Sequence, residues 1–274
     1  MSREFYMDSG ALEEYRGEGG EVTLPGDVRL VSERAFFGCS SVTAVTVPYR
    51  VSDIREAAFS ACSNLKRVEL PATMITIGAN AFASCPSLKS LEIPDSVTRI
   101  GQGGFENCGG LERVRLSARM ERLSDDLFYG CVRLKEVLLP DSIREIGEET
   151  FYQCRSLEHL RLPAGLTRIG SSAFCQCSSL RSLRLPEGLI GLGDSAFSCC
   201  SALEELTIPA GVTVIPGYTF WNCGSLRKVT LPETITAIED GAFEDCPALT
   251  ICAPAGSYAA RYAEERGIPM ESLI

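Results

Sequence analysis

The chain has 274 residues, 45% of them hydrophobic and 23% charged, with a net charge of −10 and a pI near 4.8. This is enough apolar material for a large core, and the acidic balance argues against nucleic-acid binding, where a basic face dominates affinity. The N-terminus has no signal-peptide pattern and no stretch reaches the roughly 18 apolar residues of a membrane helix, so the expected location is cytoplasmic if Met1 is the native start, and the cell surface or medium otherwise.

From the N-terminus, the first regular feature is a phenylalanine series. It opens at Phe36, Phe59 and Phe82 and continues at steps of 23 residues to Phe243. A cysteine stands three places after each, from Cys39 and Cys62 to Cys246, so ten of the thirteen cysteines are one repeat position. Three residues later comes an apolar residue such as Leu65, Leu88 or Leu111, followed by alternating pairs such as Val68 and Leu70, or Leu91 and Ile93. Proline closes most of these segments, as at Pro71 and Pro94. The alternation predicts a half-buried strand, and proline ends it because it cannot donate to a ladder inside a sheet. A second apolar pair, such as Val97 and Ile100, predicts a short extended piece, often followed by a glycine read as a turn residue needing φ > 0. The Ala-Phe-x-x-Cys piece is too short for a full helix and predicts a single turn. A lone repeat cannot bury its own apolar face against the entropy of ordering 23 residues, so the repeats must stack.

This pattern, well seen from Cys85 through Leu88, Leu91, Ile93, Pro94, Val97 and Ile100 to Phe105, resembles the BspA-like leucine-rich repeat family of the treponemal type. The resemblance covers about residues 20–252. Gly10 to Val28 resembles an N-terminal cap, and Ala255 to Pro269 a C-terminal cap with a short helix. The expected organisation is a cap over 1–20, a solenoid of about ten repeats over 21–252, and a cap over 253–274. The resemblance implies a mainly β, right-handed leucine-rich-repeat solenoid with a parallel concave sheet, short second strands and turns on the other faces. It also implies protein or glycan binding, with surface adhesins among the members.

The candidates for chemistry are few. One thiol per coil reads as a small buried hydrophobe rather than a metal or disulfide framework. Cys175 with Cys177, and Cys199 with Cys200, lack zinc-site spacing, while Cys175 and Cys199 are candidate redox thiols. His159, the sole histidine, faces outward with Glu136 and Ser182 in the same column one repeat away, which defines a hydrolase alternative weaker than an ordinary surface histidine. No cofactor motif or metal site is expected.

The concave columns, from Lys66, Arg67 and Glu69 to Arg227, Lys228 and Thr230, hold eleven basic and seven acidic residues, a net +4 in a molecule of −10. Their sharpest part comprises Arg113, Arg115, Glu136, Leu138, His159, Arg161, Arg181 and Arg184, where a basic patch surrounds the apolar Leu138. It suits an acidic protein segment or an anionic glycan. A second candidate ridge is Tyr129, Arg133, Tyr152 and Arg155, where exposed aromatics sit beside arginines. In repeat 108–131, Ser117 replaces proline, Met120 and Leu123 replace the usual Val and Ile, and Gly104 stands for alanine just before, which points to a bend or looser packing. The expected function is a non-enzymatic, monomeric protein-binding module that uses its concave strand face. A surface adhesin fragment for host matrix or glycan is the first alternative.

Overall fold

A computed structural model describes residues 4–273. The chain is a mostly-β parallel solenoid of about eleven turns, dividing into two units, Met1–Ser142 and Ile143–Ile274. In both, most coils contribute a strand on one face, a two-residue strand on a second face, and a run of turns between them.

In the first unit, Phe5–Asp8 and Ala11–Tyr15 form an antiparallel hairpin, and Tyr15 stacks on Phe36 at 4.7 Å between centroids. The stack continues through Phe59, Phe82, Phe105 and Phe128. The first-face strands form two groups, Gly20–Thr23, Val42–Thr46 and Arg67–Glu69, then Ser90–Glu92, Arg113–Arg115 and Glu136–Leu138. No ladder joins Arg67–Glu69 to Ser90–Glu92. In the second unit, Phe151, Phe174, Phe197, Phe220 and Phe243 stack at 5.2–5.7 Å. The helix Tyr258–Arg266 then closes the stack. Ser257 caps it by accepting the Ala260 N–H, Gly267 ends it with φ 65°, and Ala259, Ala260 and Ala263 are buried beneath it. The chain returns as Met270–Leu273, parallel to Thr250–Pro254.

The cysteine ladder has a function beyond filling space. Along the ladder, thiols donate to the phenylalanine carbonyl of the preceding coil, as in Cys62 to Phe36 and Cys131 to Phe105 at 3.1 Å, and Cys177 to Phe151 and Cys200 to Phe174 at 3.1 Å. Among the described residues no cysteine is in a disulfide.

The turn run corrects the expectation about glycine. Gly78, Gly101, Gly170 and Gly193 do not have positive φ. An added Cβ there would lie 2.3–2.7 Å from main-chain atoms of the preceding coil, so close approach of coils is what excludes a side chain. Positive φ falls instead at the residues two before and two after each phenylalanine, with φ between 51° and 70°. Most are not glycine; Ala57, Asn80, Glu149, Gln176 and Tyr218 are examples. This geometry lets alternate N–H groups reach the next coil, as Arg34 to Glu56, Phe36 to Ala58 and Gly38 to Ser60, or Ser172 to Asp194, Phe174 to Ala196 and Gln176 to Ser198.

The odd repeat is as tightly packed as its neighbours. Ser117 is fully buried, donates to the Val97 carbonyl at 2.5 Å and accepts the Arg119 N–H. Met120 and Leu123 are fully buried. Gly104 is explained first by the Ile100 side chain and then by Leu127, which stands where most coils have alanine. A Cβ on Gly104 would meet Ile100 Cγ2 at 2.5 Å and Leu127 Cδ1 at 3.2 Å. Gly104→Ala should therefore cost about 1–3 kcal/mol by overpacking. Urea denaturation would show it, and adding Leu127→Ala should relieve part of the clash. Full stability in the single variant would reject this account.

Candidate functional site

The first-face strands alternate one buried residue with outward neighbours, so the pleat alone projects the charged columns to solvent. In the first unit these charges are largely matched internally. Arg113 and Glu136 are register partners across adjacent strands and pair at 2.6 Å. Arg115 donates to both oxygens of Asp95 at 3.0 Å. Asp95 also accepts the Ala118 N–H, and with Arg115 as the larger cause its carboxyl is held below the usual range. Lys135 lies 4.0 Å from Glu112, and Arg67 3.0 Å from Glu69. Leu138, the register partner of Arg115, is 50% exposed.

The second unit differs. His159, Arg161, Arg181 and Arg184 are exposed, and only isolated bridges, His159 to Ser182 and Ser182 to Glu205, hold three coils together on this face. The continuous sheet expected from the repeat is therefore interrupted. Farther along, Ile208 donates to the Thr230 carbonyl at 2.9 Å and Leu231 to Cys252 at 2.8 Å. The equivalent N–H groups of Leu162 and Leu185 make no such bond. Two clefts open where pairing lapses. One of about 380 Å³ lies between Leu160–Ala164 and Arg184–Glu187, and one of about 670 Å³ between Ser182–Glu187 and the coils bearing Glu205–Thr207 and Lys228–Thr230. Arg184 lines both. At the edge of this face Lys228 pairs with Glu271 at 3.1 Å, and Arg227 pairs with Glu204.

Among the described residues no ion pair forms on Arg181 or Arg184. The contrast with Arg115 has a visible cause. The carboxylate that clamps Arg115 follows the proline of the preceding coil, and the residue at that place before Arg184 is Ala164. The clamp was not foreseen, because it needs two columns read together, the residue after proline and the last outward strand position.

His159 and Ser182 are brought together by their bridge, with no hydrogen bond between imidazole and hydroxyl among the described residues. On the second candidate ridge, Tyr129 and Tyr152 are half-buried rather than exposed, and the Tyr152 hydroxyl accepts from Gln176 at 2.9 Å. Arg133 and Arg155 are exposed. The exposed aromatics of that column are Phe37 and Trp221. Cys175 is buried and its thiol is pushed up to about 11 by burial, while Cys199 is half-buried. Among the described residues no cluster of His, Cys, Asp and Glu could hold a metal ion, and no helix is long and apolar enough to cross a membrane.

The sequence profile of the BspA type leucine rich repeat region matches residues 18–135 and 121–250, with six copies. The chain belongs to the BspA type leucine-rich repeat family. No curated protein matches it significantly. Among solved structures it is similar to a leucine-rich repeat protein from Bacteroides ovatus, at 27% identity and TM-score 0.68 over 90% of this chain and 82% of that one. It is also similar to the T. pallidum leucine rich repeat protein, at 28% identity and TM-score 0.58 over 74% and 89%. A leucine rich cell surface protein from Faecalibacterium prausnitzii, 24% identical with TM-score 0.53 over the whole of both chains, shares the fold. BspA type repeats form a scaffold suited in general to protein interaction, and solenoids of this family are generally non-enzymatic. The repeat consensus itself is spent on the core, so what distinguishes one BspA type member from another lies in its outward columns.

Proposed function

We propose that this protein is a non-enzymatic binding module whose strand face holds an acidic partner protein. One observation supports the reading most: the outward strand columns carry net +4 in a molecule of −10, so the charge sign reverses on that face. Opposite potentials steer encounter and penalise wrong partners. Stacked coils fix many side chains in advance, which lowers the ordering cost of association. In the first unit Arg113 and Arg115 are already satisfied by Glu136 and Asp95, so a partner must compete with them. In the second unit Arg181 and Arg184 offer positive charge without that competition.

The reading is tested by capture from source-cell lysate. The bait is wild type beside Arg161→Glu with Arg181→Glu, and beside Tyr129→Ala with Tyr152→Ala. The strand-face double variant should lose the partner at unchanged thermal stability, and the ridge variant should keep it. Loss only with the ridge variant would move the site to the turn face and overturn the strand-face reading.

A further inference from the structure

We infer that Arg184 is a carboxylate seat, and that the two clefts beside it take an acidic polypeptide segment in extended conformation. The inference rests on the strand-face reading above and names the chemistry of its ligand.

Three independent features converge at this place. The first is charge. Arg184 has no carboxylate partner among the described residues, because Ala164 occupies the position from which Asp95 clamps Arg115. An exposed guanidinium with its donors open is suited to bidentate pairing with a carboxylate. The second is the main chain. The N–H groups of Leu162 and Leu185, which in a continuous ladder would be consumed by the next coil, make no such bond here. An N–H left without its coil-to-coil acceptor needs another, which a carbonyl or carboxylate of a bound segment can supply. The third is shape. The clefts of about 380 and 670 Å³ lie on the two sides of Arg184, so a segment crossing the coils would pass over it.

Comparison within the same chain sharpens this. In the first unit the ladder also lapses, between Arg67–Glu69 and Ser90–Glu92, and a cleft of about 390 Å³ opens there. Its lip arginines are Arg67 and Arg115, and both are paired, with Glu69 and Asp95. A gap in the ladder is thus a recurring feature of this fold, while a gap beside an unneutralised arginine is found at Arg184. An anionic glycan is the less suited ligand. No phenylalanine, tyrosine or tryptophan lines either cleft beside Arg184, so no flat ring is available for a sugar to stack on.

The test uses the full chain and fluorescence anisotropy with a labelled twelve-residue peptide of alternating Glu and Ala, in low and moderate salt. Wild type should bind it, more weakly as salt rises. Arg184→Glu should weaken binding by about tenfold or more, Arg184→Lys by a smaller factor because lysine cannot pair bidentately, and Arg115→Glu by less than about threefold. Thermal scans should show all three variants folded, since these side chains are exposed. A sulfated oligosaccharide should compete poorly. Equal affinity in wild type and Arg184→Glu, or an oligosaccharide that binds as tightly as the peptide, overturns the seat. The partner captured under the proposed function separates the two ideas. If it is lost with Arg161→Glu and Arg181→Glu yet kept by Arg184→Glu, the strand-face reading stands and the seat at Arg184 falls.

Discussion

Raising the pH above about 9 is expected to unfold the protein steeply, because the cysteine ladder can exist only as neutral thiols. The Cys131 thiol is pushed from the ordinary value of 9.0 up to about 12 by burial. Burial likewise raises Cys177, Cys200 and Cys223. For Cys62 and Cys85 the nearness of the next thiol of the ladder is the largest cause, and burial adds to it. Between pH 9 and about 12 the unfolded chain has lost these protons while the native one keeps them. The native state then binds more protons than the unfolded state, so stability falls as pH rises. It is intact below the unfolded value and is lost on the way to the folded one. Each buried thiol removes about 1.4 kcal/mol per pH unit in that window. The six named here would together remove about 8 kcal/mol per unit, comparable to the whole stability of an ordinary domain. Urea midpoints at pH 7.5, 9 and 10 would show the fall, and Cys131→Ala should make it shallower by about 1.4 kcal/mol per unit. A midpoint that stays flat to pH 10 would disprove the ladder's electrostatic role.

The other large effect is expected at the phenylalanine stack. Phe174 is fully buried, with its ring 5.2 Å from Phe151 and 5.5 Å from Phe197. Phe174→Ala should cost about 3–5 kcal/mol, since the cavity is walled by rings that cannot collapse without leaving their own neighbours. Phe174→Leu should cost clearly less, and Phe243→Ala less than Phe174→Ala, because Phe243 keeps some exposure and faces the capping helix through Tyr262 at 6.3 Å. Fluorescence of the single tryptophan, Trp221, in urea gives the readout. A loss below about 1 kcal/mol for Phe174→Ala would mean that the stack closes over the gap, against the rigidity expected of a close-packed core.

The sequence made the coil legible because its core columns are nearly invariant from one repeat to the next. The phenylalanine spine, the buried cysteines, the two strand positions and the outward charges all follow from that period. What escaped was anything set between coils by pairs of columns. Leu157 to Pro163 and Leu180 to Pro186 carry the same apolar pattern as the paired strands, so the lapse of the ladder there was invisible. The Arg115–Asp95 clamp and its absence at Arg184 depend on the residue after each proline, which reads as an ordinary turn position. Cysteine was read correctly as a buried small side chain, but its donation to a carbonyl of the previous coil needs a register of 26 residues that no local window contains. On the ridge, Tyr129 and Tyr152 are half-buried, and how far each ring is covered is not specified by its place in the repeat.

The left-handed turn residues have a bearing on how such a protein changes over generations. At the two positions flanking each phenylalanine the stack imposes φ between 51° and 70° on Ala, Arg, Asn, Asp, Glu, Gln, Ser, Cys and Tyr alike. Left-handed backbone costs a non-glycine residue on the order of 1 kcal/mol, so these side chains do not choose their conformation, and their neighbours in the stack hold it. Where the adjoining coil leaves room, mutation can therefore change these turn residues without altering the path of the chain. Because paired copies within each unit meet in the same 23-residue register, recombination between misaligned copies of the gene would add or remove a whole coil and rejoin the chain at an equivalent turn.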